Sequence, residues 1–257
     1  KSQGSDNALL MIRGELSTKF LNVYGSTIIE AGGSVNLQKD GMLSLLGYGC
    51  NDYLGILGTL SFEGKVNVET TEHPFARVIN SGSIKSGINE VSIKTERFIN
   101  NETGMIVGEK ASFQVGTLIE NYGVMDFEEF NLKFPDRADD TIENYGLIDF
   151  EEFSGIFPKI SGSIAEWGYN PLRFVQRGTF IVRNQATLAC NLESFGRTTI
   201  SHLIFPHVSE LKMTGGETLI DRVSGKTSFV GAKEGAIAKI GNLEDGADHV
   251  ESHGDDS

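Results

Sequence analysis

The chain has 257 residues, of which 31 are glycine and 5 proline, and it carries a formal charge of −13. That charge excludes a nucleic-acid or anionic-membrane partner, since both need a basic face. Cys50 and Cys190 are too few for a disulfide-built scaffold and lack metal-ligand spacing, and no apolar run approaches the roughly 18 residues of a membrane span.

The N-terminal KSQGSDN has no signal-peptide apolar core, so the chain reads as cytosolic, already processed or excised from something longer. The apolar run 8–12 is expected to cap a solenoid end that would otherwise expose strand edges. A short pattern then recurs: glycine, any residue, an apolar residue. It stands at Gly14-Glu-Leu16, Gly33-Ser-Val35, Gly41-Met-Leu43, Gly58-Thr-Leu60, Gly82-Ser-Ile84 and Gly104-Met-Ile106. It returns at Gly116-Thr-Leu118, Gly123-Val-Met125, Gly146-Leu-Ile148, Gly162-Ser-Ile164 and Gly178-Thr-Phe180. The pattern reads as a glycine at a corner needing φ > 0, followed by a strand whose second residue points inward.

Segments 119–135 and 142–158 are near-copies, IENYGVMDFEEFNLKFP and IENYGLIDFEEFSGIFP, offset by 23 residues. A repeat this short closes no core alone and must pack on its neighbours. Its length suits one coil of strands and corners, and no ten-residue stretch has helical periodicity. Parallel strands are therefore expected from about Thr27 to Ile164, with Ile84, Ile106, Met125 and Ile148 in one inward column. Asn80, Asn121 and Asn144 each precede a corner glycine by two residues, and Asn100 and Asn101 lie just before Gly104. Asparagine suits such turns, and in stacked coils these side chains can also bond to one another as a ladder.

After Gly162 the texture changes. The only tryptophan, Trp167, arrives in EWGYNPLRF, and the Asn–Gly corners stop. The runs 179–182, 186–192, 198–205, 208–213, 218–223, 227–230 and 236–240 alternate between turn residues, which suits a small antiparallel β domain. From Glu244 the chain is acidic and polar and reads as a disordered tail. The expected fold is all-β: a right-handed parallel β-helix with its cap over 1–165, an antiparallel β-sandwich-like domain over 166–243, and a tail over 244–257.

Asp126, Glu128 and Glu129 stand over Asp149, Glu151 and Glu152 in the two copies. Like charges one coil apart, roughly 4.8 Å, repel unless splayed or bridged. The functional reading is a cation site or an acid/base cluster for a polysaccharide, with Lys133 and Arg137 meeting an anionic sugar. The structural reading is a solvated face on which Lys133 and Arg137 relieve the repulsion. It is favoured because the acids recur in both copies, whereas an active site is singular. Tyr122 and Tyr145 match between the copies and can stack as a pair, either a sugar platform or, the favoured reading, a brace of the solenoid face. Asn101-Glu-Thr103 is a glycosylation sequon. The five histidines form no metal motif, and no P-loop, dinucleotide or nucleophile-elbow signature is present, so no metal or cofactor is expected. A bridge between Cys50 and Cys190 is not expected, because it would span two distant modules.

The coils FINNETGMI (98–106), LIENYGVMDF (118–127) and TIENYGLIDF (141–150), with ISGSI (160–164) and GTFIVRNQATL (178–188), resemble the N-terminal domain of fungal hyphally regulated cell-wall proteins, the Hyr/Iff and Awp type of yeast adhesins. The likeness extends through SHLIFPHVSELKM (201–213) and SFVGAKEGAIAKIG (228–241), while Asp149 and Thr179 stand where that family often has cysteine. The resemblance implies a secreted, cell-wall-anchored adhesin whose β-helix is followed by a β-sandwich. A Ser/Thr-rich stalk and lipid anchor would lie beyond, and the resemblance brings no catalytic residues. The expected function is therefore non-catalytic adhesion or surface display, with a carbohydrate, host or abiotic surface as ligand. Its rivals are a β-helix lyase or hydrolase of acidic polysaccharide and a bacterial autotransporter-type passenger.

Overall fold

The structure, a computed structural model, describes residues 9–23, 25–45, 53–62, 66–70, 77–86, 90–133, 141–156, 173–233, 235–244 and 247–252. Among the described residues all regular structure is β and there is no helix. The chain forms two compact units, Lys1–Phe127 and Glu128–Ser257. The expected boundary at 165/166, Trp167 and the corner at Gly162 lie outside the described residues.

The first unit contains β1 (Leu9–Ile12), β2 (Glu15–Val23), β3 (Ser26–Ile29), β4 (Ser34–Leu45), β5 (Tyr53–Ile56), β6 (Thr59–Phe62) and β7 (Val66–Thr70). It continues with β8 (Arg77–Asn80), β9 (Ser83–Ser86), β10 (Glu90–Asn100), β11 (Met105–Asn121) and residues 124–127 of β12 (Val124–Lys133). These make three parallel ladders. One runs β1–β3–β5–β8–β10. The second runs β2–β4–β6–β9–β11 through the N-terminal parts of the longer strands. The third runs β2–β4–β7–β10–β11 through later parts of the same strands. Each long strand thus turns a corner and serves two faces, as the register shift between Thr95 and Arg97 in β10 shows.

The period-two alternation of each strand sends one residue set inward. Val35, Leu60, Ile84 and Ile106 are register neighbours and fully buried, so the glycine-x-apolar rule holds for them. Met125 and Ile148 are buried too, Ile148 beside Phe180 in its own unit. The reason for the glycines differs from the expectation. Gly58, Gly82 and Gly123 are absent from the left-handed region. A Cβ on Gly82 would instead lie 2.1 Å from the Gly58 carbonyl oxygen, and one on Gly123 would lie 2.1 Å from that of Gly104. Close approach of successive backbones, not φ, demands glycine there.

Of the segment expected as a cap, the described residues form a strand. Leu9–Ile12 is itself a rung, paired in parallel with β3, so coils begin well before Thr27. Within it Ile12 is buried while Leu9 and Met11 are exposed, so the run is a strand with one inward face.

The second unit contains the rest of β12, then β13 (Thr141–Asn144), β14 (Leu147–Ile156), β15 (Arg173–Gln176), β16 (Thr179–Leu188) and β17 (Asn191–Ser194). It ends with β18 (Arg197–Met213), β19 (Glu217–Ala232), β20 (Ile237–Leu243) and β21 (Ala247–Ser252). It too is a parallel solenoid, and the expected antiparallel domain over 166–243 is not what forms. Among the described residues β13, β15, β17, β18, β19 and β21 make one parallel ladder. The strands β14, β16, β18, β19 and β20 make the other two. The alternating runs that resembled separate strands are consecutive faces of single coils, as in β18 and β19. The acidic stretch read as a disordered tail contains β21, held in register by β19.

The core of this unit is aromatic. Phe130 stacks on Phe150 at 4.7 Å, Phe150 lies 5.7 Å from Phe153, and Phe174 lies 4.8 Å from Phe180. Offset and tilted rings of this kind add about 0.5–1.5 kcal/mol each beyond burial.

One inward column is polar. In the first unit Ile12, Ile29 and Ile56 are followed in register by Asn80, Asn100 and Asn121. Asn80 Nδ2 donates to Asn100 Oδ1 at 2.8 Å, and Asn100 Nδ2 donates to Asn121 Oδ1 at 2.7 Å. In the second unit Asn144, Gln176, Ser194 and Met213 hold the equivalent place. Asn144 Nδ2 donates to Gln176 Oε1 at 2.7 Å, and Ser194 Oγ lies 2.9 Å from Thr198 Oγ1 and 3.0 Å from Thr218 Oγ1. Every amide in these ladders is fully buried. Burial is tolerated because each donor finds an amide on the next coil or a corner carbonyl on its own coil or the next.

Candidate functional site

The outer faces carry whatever the chain presents, and in the second unit one corner is concave. Strands β14, β16, β18 and β19 place Glu152, Gln185, His202 and Arg222 as successive register partners on its rim. Beside them run Arg183 and Asn184, then Ser201, then Asp221, enclosing an open polar depression of about 470 Å³. The depression exists because β16 has one residue more than its neighbours between inward positions. Register shifts between Val182 and Gln185, so Arg183, Asn184 and Gln185 all face solvent. Such a bulge re-aims side chains without breaking the ladder.

The basic groups here are engaged. Arg183 Nη2 donates to Asp149 Oδ2 at 2.5 Å. Arg222 Nη2 lies 2.9 Å from His202 Nδ1, and His202 Nε2 lies 2.7 Å from Ser224 Oγ. An arginine only donates, so Nδ1 must be the acceptor and the imidazole is neutral with its proton on Nε2. Burial and the adjacent Arg222 both push the His202 pKa below its ordinary value, while Glu244 acts in the opposite sense. Arg222 Nη1 lies 3.6 Å from Glu244 Oε1. Glu152, Asn184, Ser201 and Asp221 keep their side chains without partners among the described residues. Among those residues no three His, Cys, Asp or Glu side chains gather as a metal site.

The residues singled out in the sequence fall in several places. Tyr122 and Asp126 belong to the first unit and are exposed. Tyr145, Asp149 and Lys133 belong to the second, and Arg137 lies outside the described residues. Asp149 takes its counter-charge from Arg183, a residue the sequence reading passed over. Its Oδ1 is buried without a partner among the described residues. Tyr145 donates its hydroxyl to Glu143 at 2.8 Å, which with burial raises its pKa. Arg177 lies 5.9 Å from the Tyr145 ring centroid and 4.5 Å from that of Phe195, a cation between two aromatic rungs. Tyr122 points its hydroxyl at Glu120, 3.4 Å away. Asn101 donates Nδ2, the atom a glycan would occupy, to Ser81 Oγ at 2.7 Å, and Thr103 Oγ1 donates to the Ser81 carbonyl at 2.7 Å. Cys190 is a buried free thiol whose pKa burial pushes up strongly. Cys50 lies outside the described residues.

The depression was missed because its members come from four coils. The available signal was the extra residue in VRNQA, visible once Gly178, Gly196 and Gly216 are aligned. No protein-family model matches the chain, and no curated protein or solved structure matches it either. The class defined by the fold is the parallel β-solenoid.

Proposed function

We propose that the chain is a non-catalytic adhesion or display domain of a secreted, cell-wall-held protein, built on right-handed parallel coils. The observation that supports it most is the engagement of the depression's basic groups. Both nitrogens of His202 are taken, one by Arg222 and one by Ser224, and Arg183 is held by Asp149. Groups fixed in this way make a rigid recognition surface, whereas a general base needs a nitrogen open to the proton it removes. The test is attachment. Inert beads coated with the chain should bind yeast-wall glucan, host-cell or plastic surfaces above an albumin control.

One observation favours a second reading, an enzyme of acidic polysaccharide: a histidine, two arginines and two carboxylates share one depression. Incubation with pectin, alginate and yeast-wall glucans, with and without calcium, separates the two. Depolymerisation that disappears in H202N would overturn the adhesion reading.

A further inference from the structure

The unengaged groups of the depression define what fits it. Arg183 is neutralised by Asp149 and Arg222 faces Glu244, while Arg222 keeps His202 neutral. The charges left over are the carboxylates of Glu152 and Asp221, both exposed. Between them lie the amide of Asn184 and the hydroxyl of Ser201. The site's unpaired charges are therefore both negative, and it belongs to a chain of charge −13. An anionic ligand is repelled by such a site. A donor-rich, positively charged one is drawn to it.

The spacing adds a second constraint. Glu152 and Asp221 stand on coils three steps apart, roughly 14 Å at about 4.8 Å per coil. One compact amine cannot reach both. A short chain of rings, each about as long as one coil step, can place an amino group at each end and hydroxyls over Asn184 and Ser201. The volume of about 470 Å³ accommodates a few such rings.

We propose that this depression is a binding subsite for a glycan bearing free, protonated amino groups. Glu152 and Asp221 receive the ammonium groups, and Asn184 and Ser201 receive the ring hydroxyls. The inference rests on the adhesion reading and names a ligand class for it.

Calorimetric titration of the whole chain with three oligosaccharides of equal length tests it: a deacetylated glucosamine oligomer, its fully N-acetylated counterpart and oligogalacturonate. The amine oligomer should bind, and its affinity should fall as salt screens the charges. The acetylated oligomer should bind at least about tenfold more weakly, since a charge-assisted bond becomes a neutral one, and the uronate should not bind. E152Q/D221N should lose at least about tenfold in affinity for the amine oligomer. Both residues are exposed and without partners among the described residues, so an unchanged melting curve shows that the variant folds. Equal binding of the acetylated oligomer, binding of the uronate, undiminished binding by the double variant, or no binding at all would each overturn the inference. If wild-type chain still attaches to surfaces while ignoring the amine oligomer, only this inference falls. A chain that neither attaches nor binds sinks the adhesion reading as well.

Discussion

Asn100 sits in the middle of the buried amide column, and its replacement by alanine should be among the most costly single changes in the first unit. The side chain is fully buried. It accepts from Asn80 at 2.8 Å and donates to Asn121 at 2.7 Å, with the Gly104 and Val124 carbonyls each 3.2 Å from Nδ2. Alanine removes two amide–amide bonds, each with a net value of about 1 kcal/mol, and strands a donor on one side and an acceptor on the other at about 1 kcal/mol or more apiece. With the small void added, N100A should cost about 3–5 kcal/mol. Asn80 ends the column, because the register partner before it is Ile56. N80I loses the bond to Asn100 and the 3.3 Å bonds with the Met105 carbonyl and the Gly82 N–H, but it extends the apolar stack Ile12–Ile29–Ile56 by one rung, and this burial offsets part of the loss, so it should cost about 1–2 kcal/mol, less than N100A. Urea unfolding followed by far-UV circular dichroism gives both values from the midpoint and slope. A cost for N100A below about 1 kcal/mol, or one equal to that of N80I, would refute the column as a stabilising network.

The corner glycines supply a matched pair of perturbations. G123A should destabilise by about 2–4 kcal/mol, whereas G14A, with nothing within 4 Å of a new Cβ, should stay within about 0.5 kcal/mol of wild type in the same urea experiment. Cys190 should resist thiol reagents in the folded chain and react once urea opens the second unit, as peptide mapping of the labelled site would show; rapid native labelling would contradict its burial. The depressed His202 pKa sets a direction with pH. The unfolded histidine takes up its proton first, so this contribution to stability is complete above about pH 6.5 and is lost as pH falls through the lower folded value. Melting temperature should therefore drop more between pH 7 and pH 5 in wild type than in H202N, and parallel profiles would remove His202 from the account.

Inward positions were legible in the sequence because packing constrains them. Val35, Leu60, Ile84 and Ile106 follow glycine at a fixed offset, and burial of any other residue type there would leave a void or an unpaired polar group. The same regularity misled where the amide column changed composition. Gln176, Ser194 and Met213 replace asparagine in the second unit, so the Asn–Gly signature ends while the coil continues. The loss of a turn signal was read as a change of architecture, although the inward period and the glycines at 178, 196 and 216 persist. Outer positions have no such constraint, and this is why Asp149 was found as an acid but its partner Arg183 was not. Register restores what local pattern hides. Glu152, His202 and Arg222 stand six residues past Gly146, Gly196 and Gly216, and Gln185 stands seven past Gly178. The single irregular offset is the bulge that opens the depression. In a solenoid, then, departures from the repeat carry more functional information than its copies: the one residue inserted in β16 shifts Gln185 in register beside Glu152, His202 and Arg222 and opens the depression they share.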